Sequence, residues 1–329
     1  MSGPPHRALV QFRRWLVVSL AMSLGCAVTR YETAVGQFGS AASSGAEGAI
    51  GVVGSAQETC RNRAWLHLIT DGFERPGVAR GTDPMSLSAN VARPSGGGQL
   101  SWKEYCDRLA DYDKAIQNAI TSLAAYGSAL SKAASKEAAK IDASLTGPLA
   151  SASVDIAREL GSSSLDKARE LSEPVTALAN IVLHLIKVAE IKDVVRRADS
   201  PMKTILGKLN QYLQASKDQV EDARQLSADI FRQVDAVIPA WRGETAIPAA
   251  LPGQVLALFE FSRQQAKWFA ALDEQIAATS RLVADLGEAH EKLVQGADGA
   301  IEDSVVLQSV TEKTQDVVKQ LNRLHKLNL

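Results

Sequence analysis

Residues 101–130 read SWKEYCDRLADYDKAIQNAITSLAAYGSAL, and the pattern of this stretch decides the fold. Ser101 followed three residues later by Glu104 is a capping box, which predicts that a helix begins there. Apolar and aromatic residues then recur three and four residues apart, as they do in a helix that packs along other helices. They are Trp102, Tyr105, Leu109, Tyr112, Ile116, Ala119, Leu123, Tyr126 and Leu130. The stretch therefore predicts one buried seam of a helical bundle.

Later segments repeat this pattern. Heptad spacing runs through 201–239 and 255–293 and again after residue 299, and Ser200 before a proline predicts that the first of these helices begins there. Residues 175–195 are apolar around most of the circumference, which predicts a helix buried among others. No alternating strand pattern is visible. The predicted fold class is all-α: an elongated, mostly antiparallel helical bundle with coiled-coil-like seams.

Two segments depart from the heptad pattern. Residues 71–100 contain several prolines and three consecutive glycines, so we expect a long loop there. Residues 26–59 are rich in glycine, and we separate them from the bundle, to which we assign 60–329. From Gly36 to Gly54 the glycines fall on a three-residue period. This stripe fits a closely packed helix or a flexible spacer, and it also fits a membrane-active helix at 36–54.

The first residues have the layout of an export signal. A basic beginning with Arg7, Arg13 and Arg14 precedes ten uncharged residues, 15–24, which are too few to span a bilayer. Ser23-Leu24-Gly25-Cys26 then resembles the lipobox of bacterial lipoproteins. The resemblance covers these first 26 residues alone.

The lipoprotein resemblance carries three implications. Residues 1–25 are a cleaved signal peptide, and Cys26 carries acyl chains such as palmitate that anchor the protein to a membrane. Ala27, which is not Asp, implies the periplasmic face of the outer membrane. The alternative is a plain secretory signal with a buried cysteine.

The chain has three cysteines. If Cys26 is acylated, Cys60 and Cys106 remain, and two thiols in an oxidising compartment form a disulfide. Free thiols or half of a metal site are the alternatives. The spacing of the cysteines and histidines matches no zinc motif, so we predict the disulfide and neither a metal nor a cofactor.

Composition and motifs narrow the function classes. All 37 acidic residues and 33 of the 36 basic ones follow residue 26, which leaves the mature chain at a net charge of −4. This charge argues against a nucleic-acid partner. The sequence has no nucleophile elbow, phosphate loop, dinucleotide fingerprint or zinc-protease motif, so we predict no enzymatic activity and assign no catalytic residue.

One neighbourhood stands out as a candidate binding region. A Cys60–Cys106 disulfide would bring the polar and aromatic residues that follow Cys60 close to those that follow Cys106. These residues are Arg61, Arg63, Trp65, His67, Asp107, Arg108, Asp111 and Tyr112. They could bind a ligand or a protein partner, or they could form an ion-pair network that supports the disulfide.

Three functional hypotheses follow from these patterns. The first is a non-enzymatic envelope lipoprotein whose bundle binds a protein partner or acts as a scaffold. The second is a membrane-perturbing protein that uses the glycine-rich segment 36–54. The third and weakest is a cell-wall hydrolase whose site is assembled from carboxylates such as Asp107 and Asp111.

Overall fold

The structure, a computed structural model, describes residues 29–74, 83–92, 98–135, 166–185, 190–242 and 251–327. The helices are α1 (Arg30–Val53), α2 (Ser55–Glu74), α3 (Trp102–Ala134), α4 (Asp166–Leu185), α5 (Ile191–Arg242), α6 (Leu251–Ala297) and α7 (Asp303–Leu327). A 3-10 turn (Pro84–Ser86) and two strands, β1 (Ser88–Ala92) and β2 (Gln99–Ser101), lie between α2 and α3. The predicted all-α bundle is confirmed.

Helix α1 packs against α3, α6 and α7, and its buried hydrophobic residues belong to the main core. The phenol of Tyr31 donates to Leu293 O of α6 at 3.0 Å, and Gly45 lies beside Leu282 of the same helix. These contacts make α1 and α6 antiparallel. Helix α5 packs against α2, α4 and α6 and, with 52 residues, extends about 78 Å at 1.5 Å per residue.

Helix α3 follows the sequence pattern closely. Ser101 Oγ accepts from Glu104 N at 3.2 Å, and the Glu104 carboxylate accepts from Ser101 N at 3.0 Å, so the capping box is formed. From Ile116 to Leu130 the seam residues are buried in the main core, whereas Trp102 is buried in a second, smaller core. One helix therefore connects two cores.

The three-residue spacing of its glycines brings α1 into close contact with three neighbouring helices. Three residues advance a helix by about 300°, so successive glycines rotate by about 60° around it. A Cβ on Gly39 would lie 2.4 Å from Gly127 O of α3. Further along, Gly45 faces Leu282 of α6, and Gly48 faces Leu321 of α7. The missing side chains let different helices approach the backbone of α1 at successive levels.

The predicted helix start at Ser200-Pro201 is wrong. Helix α5 is continuous from residue 191, and Pro201 is buried in its interior. Val195 and Met202, seven residues apart on either side of the proline, are both buried. Burial of this continuous apolar face offsets the cost of about 3 kcal/mol of a proline inside a helix.

Two other predictions need correction. Residues 175–195 do not form one helix, because α4 ends at Leu185 and α5 begins at Ile191. The loop predicted at 71–100 is wrong in its described part: α2 continues to Glu74, and β1 pairs with β2 antiparallel. These strands escape pattern analysis because they are short and their register is irregular.

Candidate functional site

A disulfide joins α2 to α3, as predicted. The Sγ atoms of Cys60 and Cys106 are 2.03 Å apart, and their Cα atoms are 5.6 Å apart. Both cysteines are buried with Ala64, Ala89 and Trp102 in the smaller core. We call this region the stapled end; it comprises α2 residues 58–69, the 3-10 turn with the β-hairpin, and α3 residues 102–111.

Inside the stapled end, two of the predicted binding residues pack on Trp102. The guanidinium carbon of Arg63 lies 5.4 Å from the centroid of the Trp102 ring, in cation–π geometry, and the His67 ring lies 5.2 Å from it. Arg63 also forms a salt bridge with Asp222 of α5. These contacts tie α2 to both α3 and α5 and give Arg63 a structural role.

Four other predicted residues lie on the outer surface of the stapled end. Arg61, Asp107 and Asp111 are exposed, and 48% of Trp65 is exposed. The antiparallel helices meet at the cysteines, so stepping one residue past each cysteine leads to the same side of the pair. Arg61 and Asp107 therefore share one face. Within the described part of the chain, these carboxylates lie on an exposed surface.

The last two predicted residues are half-buried, and one of them leads toward a buried polar group. Arg108 is partly exposed. Tyr112 packs edge-on against Tyr212 of α5, with ring centroids 5.5 Å apart, and burial followed by the charge of Glu170 raises the pKa of Tyr112.

The most buried carboxylate of this part of the molecule was not among the predicted site residues. Only 5% of Asp113 is exposed, and its Oδ1 lies 2.7 Å from the Tyr212 phenol oxygen. That phenol oxygen also lies 2.7 Å from Val53 O, the last residue of α1. Burial raises the Asp113 pKa to about 6, although hydrogen bonds from Tyr212 and from Gln57 N–H act in the opposite direction.

A sequence signal for Asp113 does exist. It stands seven residues after Cys106 and seven before Ile120, and Gly127 follows after another seven. All four positions are buried. A carboxylate in register with such a heptad stripe indicates a buried acid, whereas the larger residues of the neighbouring seam draw attention away from it.

A second buried polar contact lies in the main core. His290 of α6 is 2% exposed, and its Nε2 lies 3.2 Å from the Tyr126 phenol oxygen of α3. Its Nδ1 is 3.9 Å from Asp199 Oδ1 of α5. Burial lowers the His290 pKa to about 4, so the ring is neutral at pH 7. His290 is thus an interior, hydrogen-bonded histidine.

The described residues offer no group of His, Cys, Asp and Glu that could hold a metal ion. An open depression of about 410 Å³ adjoins the hairpin and is lined by Asp83, Met85, Ser86, Ser101, Lys103 and Glu104. Two of its acids have local structural partners: Asp83 accepts from Met85 N, and Glu104 accepts from Ser101 N.

The predicted signal peptide and Cys26 lie outside the described residues. Across the part of the chain that is described, no helix combines the length and apolar composition needed to cross a membrane. The chain matches no protein-family model, no curated protein and no solved structure with which it was compared.

Proposed function

We propose that this protein is a non-enzymatic scaffold, lipid-anchored at the periplasmic face of the outer membrane, whose stapled end binds an envelope protein. The anchor is inferred from Ser23-Leu24-Gly25-Cys26. The observation that carries the binding role is the exposed face of α2 and α3, which holds Trp65 and Arg61 beside a buried disulfide.

The fixed geometry of this face favours binding. Holding a surface in one conformation before association reduces the entropy lost on binding. Here the disulfide fixes α2 against α3, and Arg63 connects α2 to α5 through Asp222. Tryptophan and arginine also contribute most often to the energy of protein interfaces. Trp65 and Arg61 are therefore the residues on which a partner would depend most.

The charges on this face favour a protein partner. Arg61 shares the surface with Asp107 and Asp111, so both signs are present within one patch. A nucleic acid would require a positively charged surface, and the mature chain carries more acidic than basic residues. Mixed charges instead suit a partner with complementary charges of both signs.

The binding role is tested by quantitative pull-down from crosslinked envelopes. Trp65→Ala removes the exposed aromatic, and Val318→Ala, at a residue of α7 that is 41% exposed, is the matched control. We expect the recovery of one specific envelope protein to fall at least tenfold for Trp65→Ala and to stay unchanged for Val318→Ala. Equal recovery with both variants, or no specific protein, would contradict the binding role.

The anchor is tested separately by mass spectrometry of the mature N-terminus. We expect an N-terminal Cys26 carrying acyl chains, and we expect Cys26→Ser to release the protein from the membrane fraction. An unmodified Cys26 in membrane-bound protein would contradict lipid anchoring without affecting the binding role.

The membrane-perturbing alternative requires α1 to leave the bundle. Phe38 is fully buried, and Gly39 is in backbone contact with α3, so leaving would expose much of the core. This burial weighs against the alternative. Leakage of dye-filled vesicles on addition of micromolar mature protein would revive it.

A further inference from the structure

The joint between α1 and α2 has an unusual hydrogen-bond arrangement. Helix α1 ends at Val53 and α2 begins at Ser55, with exposed Gly54 between them. In an uninterrupted helix, Gln57 N–H would donate to Val53 O, four residues back. Here Val53 O instead accepts from the Tyr212 phenol, and the Gln57 N–H is close enough to the Asp113 carboxyl group to lower its pKa. A side chain of α5 thus supplies the donor that the helical bond at Val53 O lacks.

The number of protons that these hydrogen bonds require defines the protonation state of Asp113. Val53 O and Asp113 Oδ1 each lie 2.7 Å from the same phenol oxygen, a distance typical of an O–H···O hydrogen bond. Two such bonds require two protons, and the Tyr212 hydroxyl supplies one. A carbonyl oxygen has no proton to give, so the second must come from Asp113.

We propose that Asp113 is a neutral carboxylic acid in the folded protein at pH 5, and that its ionisation at higher pH loosens the joint between α1 and α2. In the neutral state Asp113 donates to Tyr212, and Tyr212 donates to Val53 O. Once Asp113 loses its proton, the Tyr212 hydroxyl can donate its single proton either to Asp113 or to Val53 O. The acceptor left without that proton then faces the phenol oxygen in a buried site with no hydrogen bond between them. The joint is therefore a pH-sensitive device that controls how the stapled end is held on the bundle.

The surroundings of Asp113 support a neutral acid. Burial is the largest influence and raises its pKa to about 6, while the hydrogen bond that Tyr212 can donate to the ionised carboxylate and the Gln57 N–H lower it. The Tyr212 pKa is also raised, by burial and then by Asp113, so the phenol keeps its proton. Tyr112 adjoins on α3, and its pKa is raised by burial and by Glu170 of α4.

Among the described residues, the other groups in hydrogen-bond contact with this site carry no charge. Helix α1 contributes Val53 O, and α2 contributes the main-chain N–H of Gln57. Helix α5 adds Ser216, whose hydroxyl donates to the main-chain carbonyl oxygen of Tyr212 at 3.0 Å. The proton on Asp113 is therefore governed by burial and by neutral hydrogen-bond partners.

The direction of the pH effect follows from the two states. The pKa of Asp113 is 3.8 in the unfolded chain and about 6 in the folded one, so the folded protein binds the proton more tightly. Its stabilising contribution is complete below pH 3.8 and is lost as the pH rises through 6. Between these values one proton changes the unfolding equilibrium constant about tenfold per pH unit.

The proton is tested directly by difference infrared spectroscopy of the mature protein. We expect a protonated carboxyl band at pH 5 that disappears above pH 7 and is missing in Asp113→Asn. A carboxylate at residue 113 already at pH 5 would overturn the proposal, and this measurement on the unaltered protein does not depend on the folding of any variant.

The movement is tested by spin labels on either side of the joint, at exposed Ser44 of α1 and Arg61 of α2. We expect a narrow distance distribution at pH 5 and a broader one at pH 7.5. Asp113→Asn, which keeps a neutral donor, should be narrow at both pH values, and Tyr212→Phe should be broad at both. Identical distributions for the unaltered protein at the two pH values would overturn the proposal.

Discussion

Helix α3 contacts the two helices that precede it, α1 and α2, in opposite ways. Against α1, Gly39 and Gly127 have no side chains and bring the backbones into contact. Against α2 it has a covalent bond between Cys60 and Cys106, which lies in the smaller core with Trp102. The first contact depends on two glycines that lack side chains, and the second depends on the oxidation of two cysteines to a disulfide.

This difference explains why one helix serves two cores. The crossing with α1 lies within the main core, where several helices share the burial of α1. The smaller core contains few buried side chains, and Leu66 is one of the α2 residues buried in the main core instead. A disulfide stabilises such a region by restricting the unfolded chain.

The largest expected effect is that of removing the disulfide. Because the cysteines are 46 residues apart, Cys60→Ser with Cys106→Ser should lower the free energy of unfolding by about 4 kcal/mol in urea titrations. Reductant should do the same to the unaltered protein and have no further effect on the variant. If reduction leaves the unfolding transition unchanged, the disulfide does not stabilise the stapled end.

The close contact between α1 and α3 at Gly39 is tested by glycine-to-alanine substitutions at two positions of α1. On Gly39 a Cβ would lie 2.4 Å from Gly127 O and 2.6 Å from Ser131 N, so backbone must move, and Gly39→Ala should destabilise the protein by about 2–3 kcal/mol. On Gly51 nothing lies within 4 Å, so Gly51→Ala should stabilise it by about 0.5–1 kcal/mol. Effects of the same sign would contradict the close-packing explanation.

The main core and the joint should respond to pH in opposite directions. The His290 pKa is 6.5 in the unfolded chain and about 4 in the folded one, so the unfolded chain binds this proton more tightly. Stability should therefore fall by about 1.4 kcal/mol per pH unit as the pH drops from 6.5 towards 4. The slope is measured best in Asp113→Asn, which lacks the opposing titration.

A matched variant tests whether His290 causes this dependence of the free energy of unfolding on pH. His290→Gln in the same Asp113→Asn background keeps a polar side chain and should abolish the slope. The neighbours Asp199 and Lys203, which also act on His290, remain in both proteins. A slope that survives His290→Gln would assign the pH dependence to another group.

The smallest expected effect is at the ion pair of the stapled end. Asp222 is 45% exposed, so Asp222→Asn should reduce the free energy of unfolding by less than about 1 kcal/mol. Arg63→Met also removes the cation–π contact with Trp102 and should have the larger effect of the two. Equal effects in thermal melts would show that the Trp102 contact contributes nothing.

The sequence predicts the bundle well because heptad spacing reports burial directly. It predicts the seam of α3, its capping box and the disulfide correctly. It misplaces the start of α5, because proline favours a helix start locally while burial on both sides of Pro201 continues the helix through it. Tertiary packing outweighs a local preference at that point.

The site was predicted less completely, for a related reason. Spacing from the cysteines correctly brought Arg63 and His67 to α3, where they pack on Trp102. It did not distinguish exposed Asp111 from buried Asp113, two residues further on. Telling them apart requires knowing which face of α3 meets α5, and that depends on a contact distant in sequence.

Hydrogen exchange tests most directly whether the glycine-bearing helix α1 is packed into the main core of the bundle. The amides of residues 34–49 should exchange only through global unfolding, both in solution and with anionic lipid vesicles present. Exchange of this segment within seconds, or loss of its protection when vesicles are added, would contradict the account.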